Sequence, residues 1–110
     1  MPLYMYQVAY TPESWAAQLK NPQNRVEAVG RAACEAVGGK LVGGWYCFGE
    51  YDLVIVADVP DNESMSAIAL AIGAGGAIKA AKTTVLMTGT EGVGAMQKAD
   101  AVAKTYKPAR

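Results

Sequence analysis

Three observations predict an α+β fold built on a four-stranded antiparallel sheet. The apolar periodicities run in the order β-α-β-β-α-β and are followed by one more helix. Two apolar, β-branched and aromatic runs flank Gly49, and helix-start signals stand at Thr11-Pro12 and Asp61. This order is the split βαβ, or ferredoxin-like, arrangement, with both main helices on one face of the sheet. The 110 residues suit a single domain, read as a core over residues 1–88 and a helical extension of the same domain over 89–110.

The first strand covers residues 3–10, with Tyr4, Tyr6, Val8 and Tyr10 on one face and Leu3, Met5, Gln7 and Ala9 on the other. Thr11 can cap a helix and Pro12 can fill its first position, so residues 13–20 are predicted helical with Trp15, Ala16 and Leu19 on one side. By the same logic Asn21-Pro22 restarts the helix, and Val26, Val29, Ala33 and Val37 form its apolar stripe until Gly38-Gly39 ends it. Strands are predicted over Lys40–Phe48 and Tyr51–Asp58, joined as a hairpin. Asp61 caps a second helix bearing Met65, Ile68, Ala69 and Ile72, which stops near Gly73; Gly73-Ala74-Gly75-Gly76 is a helix stop and turn rather than a phosphate loop. Residues 79–88 form the fourth strand, and Thr90-Glu91 opens the last helix, with Val93, Met96, Ala99, Ala103 and Tyr106 along one side. Its basic end, with Lys98, Lys104, Lys107 and Arg110, suits the negative end of a helix dipole.

Composition removes several function classes. Ten basic residues balance ten acidic ones, so no basic footprint argues for nucleic acid. The chain has no histidine, which excludes Ser-His and Cys-His nucleophiles, histidine bases and histidine-ligated metal from within it. Cys34 and Cys47 lack any CxxC spacing and read as buried, reduced thiols. The start of the chain lacks a basic and apolar leader, and no apolar run reaches the roughly 18 residues of a membrane span. A soluble, cytoplasmic protein without a membrane, metal or other cofactor is the expectation.

The corner Cys47-Phe48-Gly49-Glu50-Tyr51-Asp52 brings two carboxylates, a phenol and a flexible glycine to one end of the sheet. Turn chemistry accounts for it if Gly49 takes a positive φ, Glu50 faces solvent and Asp52 bonds backbone amides. In the alternative, Glu50 or Asp52 is a partly desolvated acid or base and Tyr51 orients a substrate, which makes Glu50, Asp52 and Tyr51 the candidate catalytic residues. Arg25 is placed to bind a carboxylate or to pair with Glu50 or Asp52. Tyr6, Trp45, Tyr46 and Phe48, with Tyr4 and Trp15, could wall a pocket for a flat ligand or simply pack the core.

The hairpin strands are apolar on both sides: Leu41, Trp45 and Cys47 against Val42, Tyr46 and Phe48, then Leu53 and Ile55 against Val54 and Val56. Two helices cover only one face, so a second subunit is expected on the other. At Gly49-Glu50-Tyr51-Asp52 the chain resembles the GYD domain family, named for its Gly-x-Tyr-Asp motif. The resemblance spans about residues 4–88 and includes Asn21-Pro22, Arg25-Val26-Glu27-Ala28, Gly38-Gly39-Lys40 and the stretch from Ala69 to Gly76 leading to Thr84. It implies a ferredoxin-like fold that pairs as a dimeric α/β barrel, and it implies no particular activity.

The function expected from these readings is binding of a small organic molecule near the Gly49–Asp52 hairpin by a homo-oligomer. One alternative is a cofactor-independent oxygenase or isomerase using carboxylate and tyrosine acid-base chemistry, with Tyr51 or Tyr46 as donor; it rests on fold analogy. Another is an assembly protein in which these residues are structural and the last helix docks on a neighbour.

Overall fold

The computed structural model describes residues 1–110. Strands β1 (Leu3–Tyr10), β2 (Lys40–Tyr46), β3 (Leu53–Asp58) and β4 (Ile78–Leu86) form one antiparallel sheet in the order β2-β3-β1-β4. Helix α1 (Pro12–Lys20) follows β1, and a π-helical turn (Val26–Gly30) runs into α2 (Arg31–Ala36). Helices α3 (Asn62–Ala74) and α4 (Gly89–Ala103) complete the chain. The predicted ferredoxin-like topology is the one observed.

The central strand β1 holds the core because its alternation is strict. Tyr4, Tyr6 and Val8 stand opposite Ala57, Ile55 and Leu53 of β3, all on the face that the helices cover. Val26, Cys34, Met65 and Ile68 descend on them from the helical layer, and all four are buried. Thr11 caps α1 by accepting from Ser14 N at 3.1 Å, and Asp61 caps α3 by accepting from Ser64 N at 2.8 Å. Within α1 only Ser14, Trp15 and Gln18 turn toward the body, while Ala16 and Leu19 of the predicted stripe are exposed.

The helix expected to restart at Asn21-Pro22 begins later. Residues 21–24 are irregular, and Asn24 rather than Asn21 supplies the cap, its Oδ1 accepting from Glu27 N at 3.3 Å. The Tyr46 hydroxyl holds this stretch by donating to the Gln23 carbonyl and accepting from Arg25 N. A tertiary contact therefore sets the helix start where two asparagines compete.

The hairpin also differs. Its strands end at Tyr46 and begin at Leu53, so the corner is a six-residue loop, with Gly49 at φ +128°. A bulge at Val42 shifts the register between Leu41 and Gly43. Leu41 and Tyr46 consequently share the helix-covered face, and Trp45 goes to the other, opposite Val54. Gly44 is required in this layer, because a Cβ there would lie 2.5 Å from Val26 Cγ1 and 2.9 Å from Ile55 Cγ2.

Nothing in the chain covers the second face of the sheet. Met5, Val54 and Val56 lie there half-buried, and Trp45 is 58% exposed. Helix α4 starts with a reciprocal capping box between Thr88 and Glu91 and buries none of its residues. It projects from the body, giving a radius of gyration of 17.4 Å, where a compact chain of this length has about 13 Å. Tyr106, expected on its stripe, lies beyond its end.

Candidate functional site

A concavity with a volume of about 630 Å³ lies between the sheet and the helical layer. Its floor is Tyr6, Val8 and Tyr10 of β1 with Leu53 and Ile55 of β3. The π-helical turn and α2 form one wall, and the end of α3 forms the other. The facing residues are small: Ala28, Ala32 and Ala33 on one side, Ala71, Gly75 and Ala77 on the other. Short side chains on both walls leave the space between them unfilled. A π-helical turn bordering the cavity is a common feature of functional sites.

Polar groups in this lining are few. Tyr6 is 3% exposed, and its buried hydroxyl has no hydrogen-bond partner, so burial pushes its pKa up. Tyr10 is also raised, first by burial, then by the neighbouring Tyr46 and Asp52, with the Arg25 guanidinium pulling the other way. Arg25 is the one charged residue of the lining. It is half-buried and takes part in none of the chain's three ion pairs, so the expected pairing with Glu50 or Asp52 is absent.

Asp52 has a different set of partners. Its Oδ2 accepts from the Tyr10 backbone N–H at 2.9 Å and from the Trp15 indole N–H at 3.3 Å. Its own N–H donates to the Val8 carbonyl, and its carbonyl accepts from Cys47 N. The loop is thus fastened to the end of β1 and the start of α1, and Tyr10 packs edge-on against Trp15 at 5.2 Å. Tyr51 is half-buried and its carbonyl accepts from the Cys47 thiol.

The sequence-derived candidates therefore separate into groups. Tyr6 and Arg25 meet in the cavity, and Tyr46 fixes the backbone of Arg25 from outside it. Asp52 lies behind Tyr10, supporting the cavity without lining it. Trp45 is on the opposite face of the sheet, Phe48 is fully exposed at the loop, and Glu50 is exposed. Val29, Ala33 and Ile72 wall the cavity and Ile55 lies in its floor, none of them among the residues that the sequence points to as a site. For the three helical ones the signal is the alternation of small and branched residues on two facing helices. Cys34, on the buried side of α2, is a free thiol. No three acidic or thiol side chains gather to hold a metal ion, and no helix is long and apolar enough to cross a membrane.

Solved structures share the fold at low sequence identity. MtbAldR aligns with a TM-score of 0.60 and 13% identity over 79% of this chain and 52% of its own, so this chain spans about half of it. FFRP-DM1 aligns with a TM-score of 0.54 and 12% identity, over 79% of this chain and all of its own. TTHA0845 from Thermus thermophilus aligns with a TM-score of 0.52 and 16% identity, over 80% of this chain and 95% of its own. No curated protein sequence matches the chain. The model of the GYD domain matches residues 4–96, reaching past Thr88 into α4, and the chain belongs to the GYD domain family.

Proposed function

We propose that this protein binds a small organic molecule in the cavity between its sheet and its helices, and that it does so as a homo-oligomer joined through the uncovered sheet face. The observation that carries the reading is the cavity: about 630 Å³, lined almost wholly by apolar side chains, with Arg25 as its one charged residue. That volume is within the usual range of small-molecule sites, which combine apolar walls with a few orienting polar groups. The site adjoins the Gly49–Asp52 loop through Leu53 and Tyr10, and Asp52 acts by holding Tyr10 in place.

An oxygenase or isomerase reading finds less support. The Asp52 carboxylate and the Tyr46 hydroxyl already have protein partners, and Glu50 stands in solvent outside the cavity.

Thermal denaturation at fixed protein concentration, against a panel of small aromatic and aliphatic carboxylates, amides and alcohols, tests the proposal. A ligand present at 100 times its Kd adds about 2.7 kcal/mol of stability, a shift of roughly 10 °C for a chain of this size. Ala33→Phe, which fills the space, is expected to remove that shift while the variant still melts cooperatively. A panel without effect on the natural chain, or a shift that survives in Ala33→Phe, would contradict the proposal.

A further inference from the structure

We infer that the ligand of this cavity is an amphipathic organic carboxylate, with its apolar part among Val29, Ala33, Ile55 and Ile72 and its carboxylate on the Arg25 guanidinium. This rests on the reading of the cavity as a small-molecule site.

Charge is the first argument. Arg25 is the sole charged residue on the cavity wall, and no acidic residue lines it. Arg25 has no ion-pair partner anywhere in the chain. The nearby acid that could have neutralised it, Asp52, spends its carboxylate oxygen on the Tyr10 N–H and the Trp15 indole. A half-buried guanidinium beside an apolar space, without a counter-ion, is an arrangement that an incoming anion completes. The planar fork of arginine matches a carboxylate in two parallel hydrogen bonds.

Position is the second argument. A separate polar groove of about 420 Å³ runs along α1 and shares Arg25, Gly75 and Ala77 with the apolar cavity. Its other walls include the hydrogen-bonding side chains of Thr11, Ser14, Gln18, Asn21 and Gln23, with Glu13 its only acid. Arg25 therefore stands where an apolar compartment meets a polar one, the place where an amphipathic molecule carries its charged junction. The residue is also held there, because Tyr46 accepts from its backbone N–H at 3.2 Å.

The chemistry predicts discrimination between two probes of nearly the same shape, naphthalene-2-carboxylate and naphthalene-2-carboxamide, measured by titration calorimetry. On the natural chain the carboxylate is expected to bind at least about ten-fold tighter, the usual worth of a charge-assisted hydrogen bond over a neutral one. Arg25→Gln should bring the two to within about two-fold by weakening the carboxylate alone, and Arg25→Lys should retain part of the preference. Unchanged carboxamide affinity in Arg25→Gln shows that the cavity is intact. Equal affinities on the natural chain, or a preference that survives Arg25→Gln, would overturn the anion assignment and leave the cavity proposal standing. Failure of both probes to bind the natural chain would overturn the two together.

Discussion

The Asp52 carboxylate accepts the backbone N–H of Tyr10 at 2.9 Å across 42 residues of sequence, which places a loop acid under the floor of the cavity. The same oxygen takes the Trp15 indole N–H, so one side chain ties the loop, β1 and α1 together. Asp52→Ala strands two donors, and leaving partly buried donors unsatisfied costs about 1–3 kcal/mol. Asp52→Asn keeps an acceptor oxygen and is expected to cost less. Urea denaturation followed by fluorescence measures both, and an unchanged midpoint in Asp52→Ala would contradict the structural role.

Gly44 and Val26 are expected to be energetically coupled. A methyl at Gly44 would meet Val26 Cγ1 at 2.5 Å, so Gly44→Ala should destabilise by about 1–3 kcal/mol through overpacking. Val26→Ala opens that space, and the double variant should recover part of the loss, a coupling of about 0.5–3 kcal/mol for residues in contact. Strictly additive effects of the two substitutions would show that the close approach is not the constraint.

Tyr6 makes stability fall at alkaline pH. Burial raises its folded-state pKa above the ordinary 10.0, so the unfolded chain releases the phenolic proton first. The contribution is complete below pH 10.0 and is lost as pH rises past that value through the raised folded one. Tyr6→Phe deletes the unpartnered hydroxyl, so at neutral pH it should leave stability within about 0.5 kcal/mol of the natural chain or raise it. Above pH 10.0 its stability should fall less steeply, with Tyr10 retaining its own share. Denaturation midpoints taken from neutrality upward give the comparison, and parallel curves would contradict it.

Much of this architecture was legible in the residues. The alternation of Tyr4, Tyr6, Val8 and Tyr10 marked the central strand and its buried face, and Thr11-Pro12 and Asp61 marked helix starts by local chemistry alone. The bulge at Val42 was not legible, and one extra residue exchanges faces for everything after it, which is why Trp45 lies opposite to Tyr46's side as expected but apart from Leu41. The choice between Asn21 and Asn24 depended on Tyr46, more than twenty residues away. Of the cavity, Tyr6 and Arg25 were legible and the helical walls were not, because an empty space has no residue of its own. Its trace is Ala28, Ala32 and Ala33 facing Ala71, Gly75 and Ala77.

The uncovered face is expected to hold the assembly together. Val56 lies on it, half-buried in the isolated chain, opposite Met5. Val56→Lys sets like charges against each other across a symmetric contact, at a cost of several kcal/mol. Sedimentation velocity should then show a smaller species than the natural chain gives. Leu70→Lys, on α3 and already 73% exposed, should leave the size unchanged. A natural chain that sediments as a monomer would contradict the expectation.

The most direct test of the central claim is a methyl NMR spectrum recorded with and without naphthalene-2-carboxylate. The cavity and the uncovered sheet face are both apolar, and their valines and isoleucines report separately. Binding in the cavity moves the methyl signals of Val29, Ile55 and Ile72, which line it, and leaves those of Val54 and Val56 on the opposite face in place. Shifts confined to Val54 and Val56, or no shift at any of the five, would contradict the account.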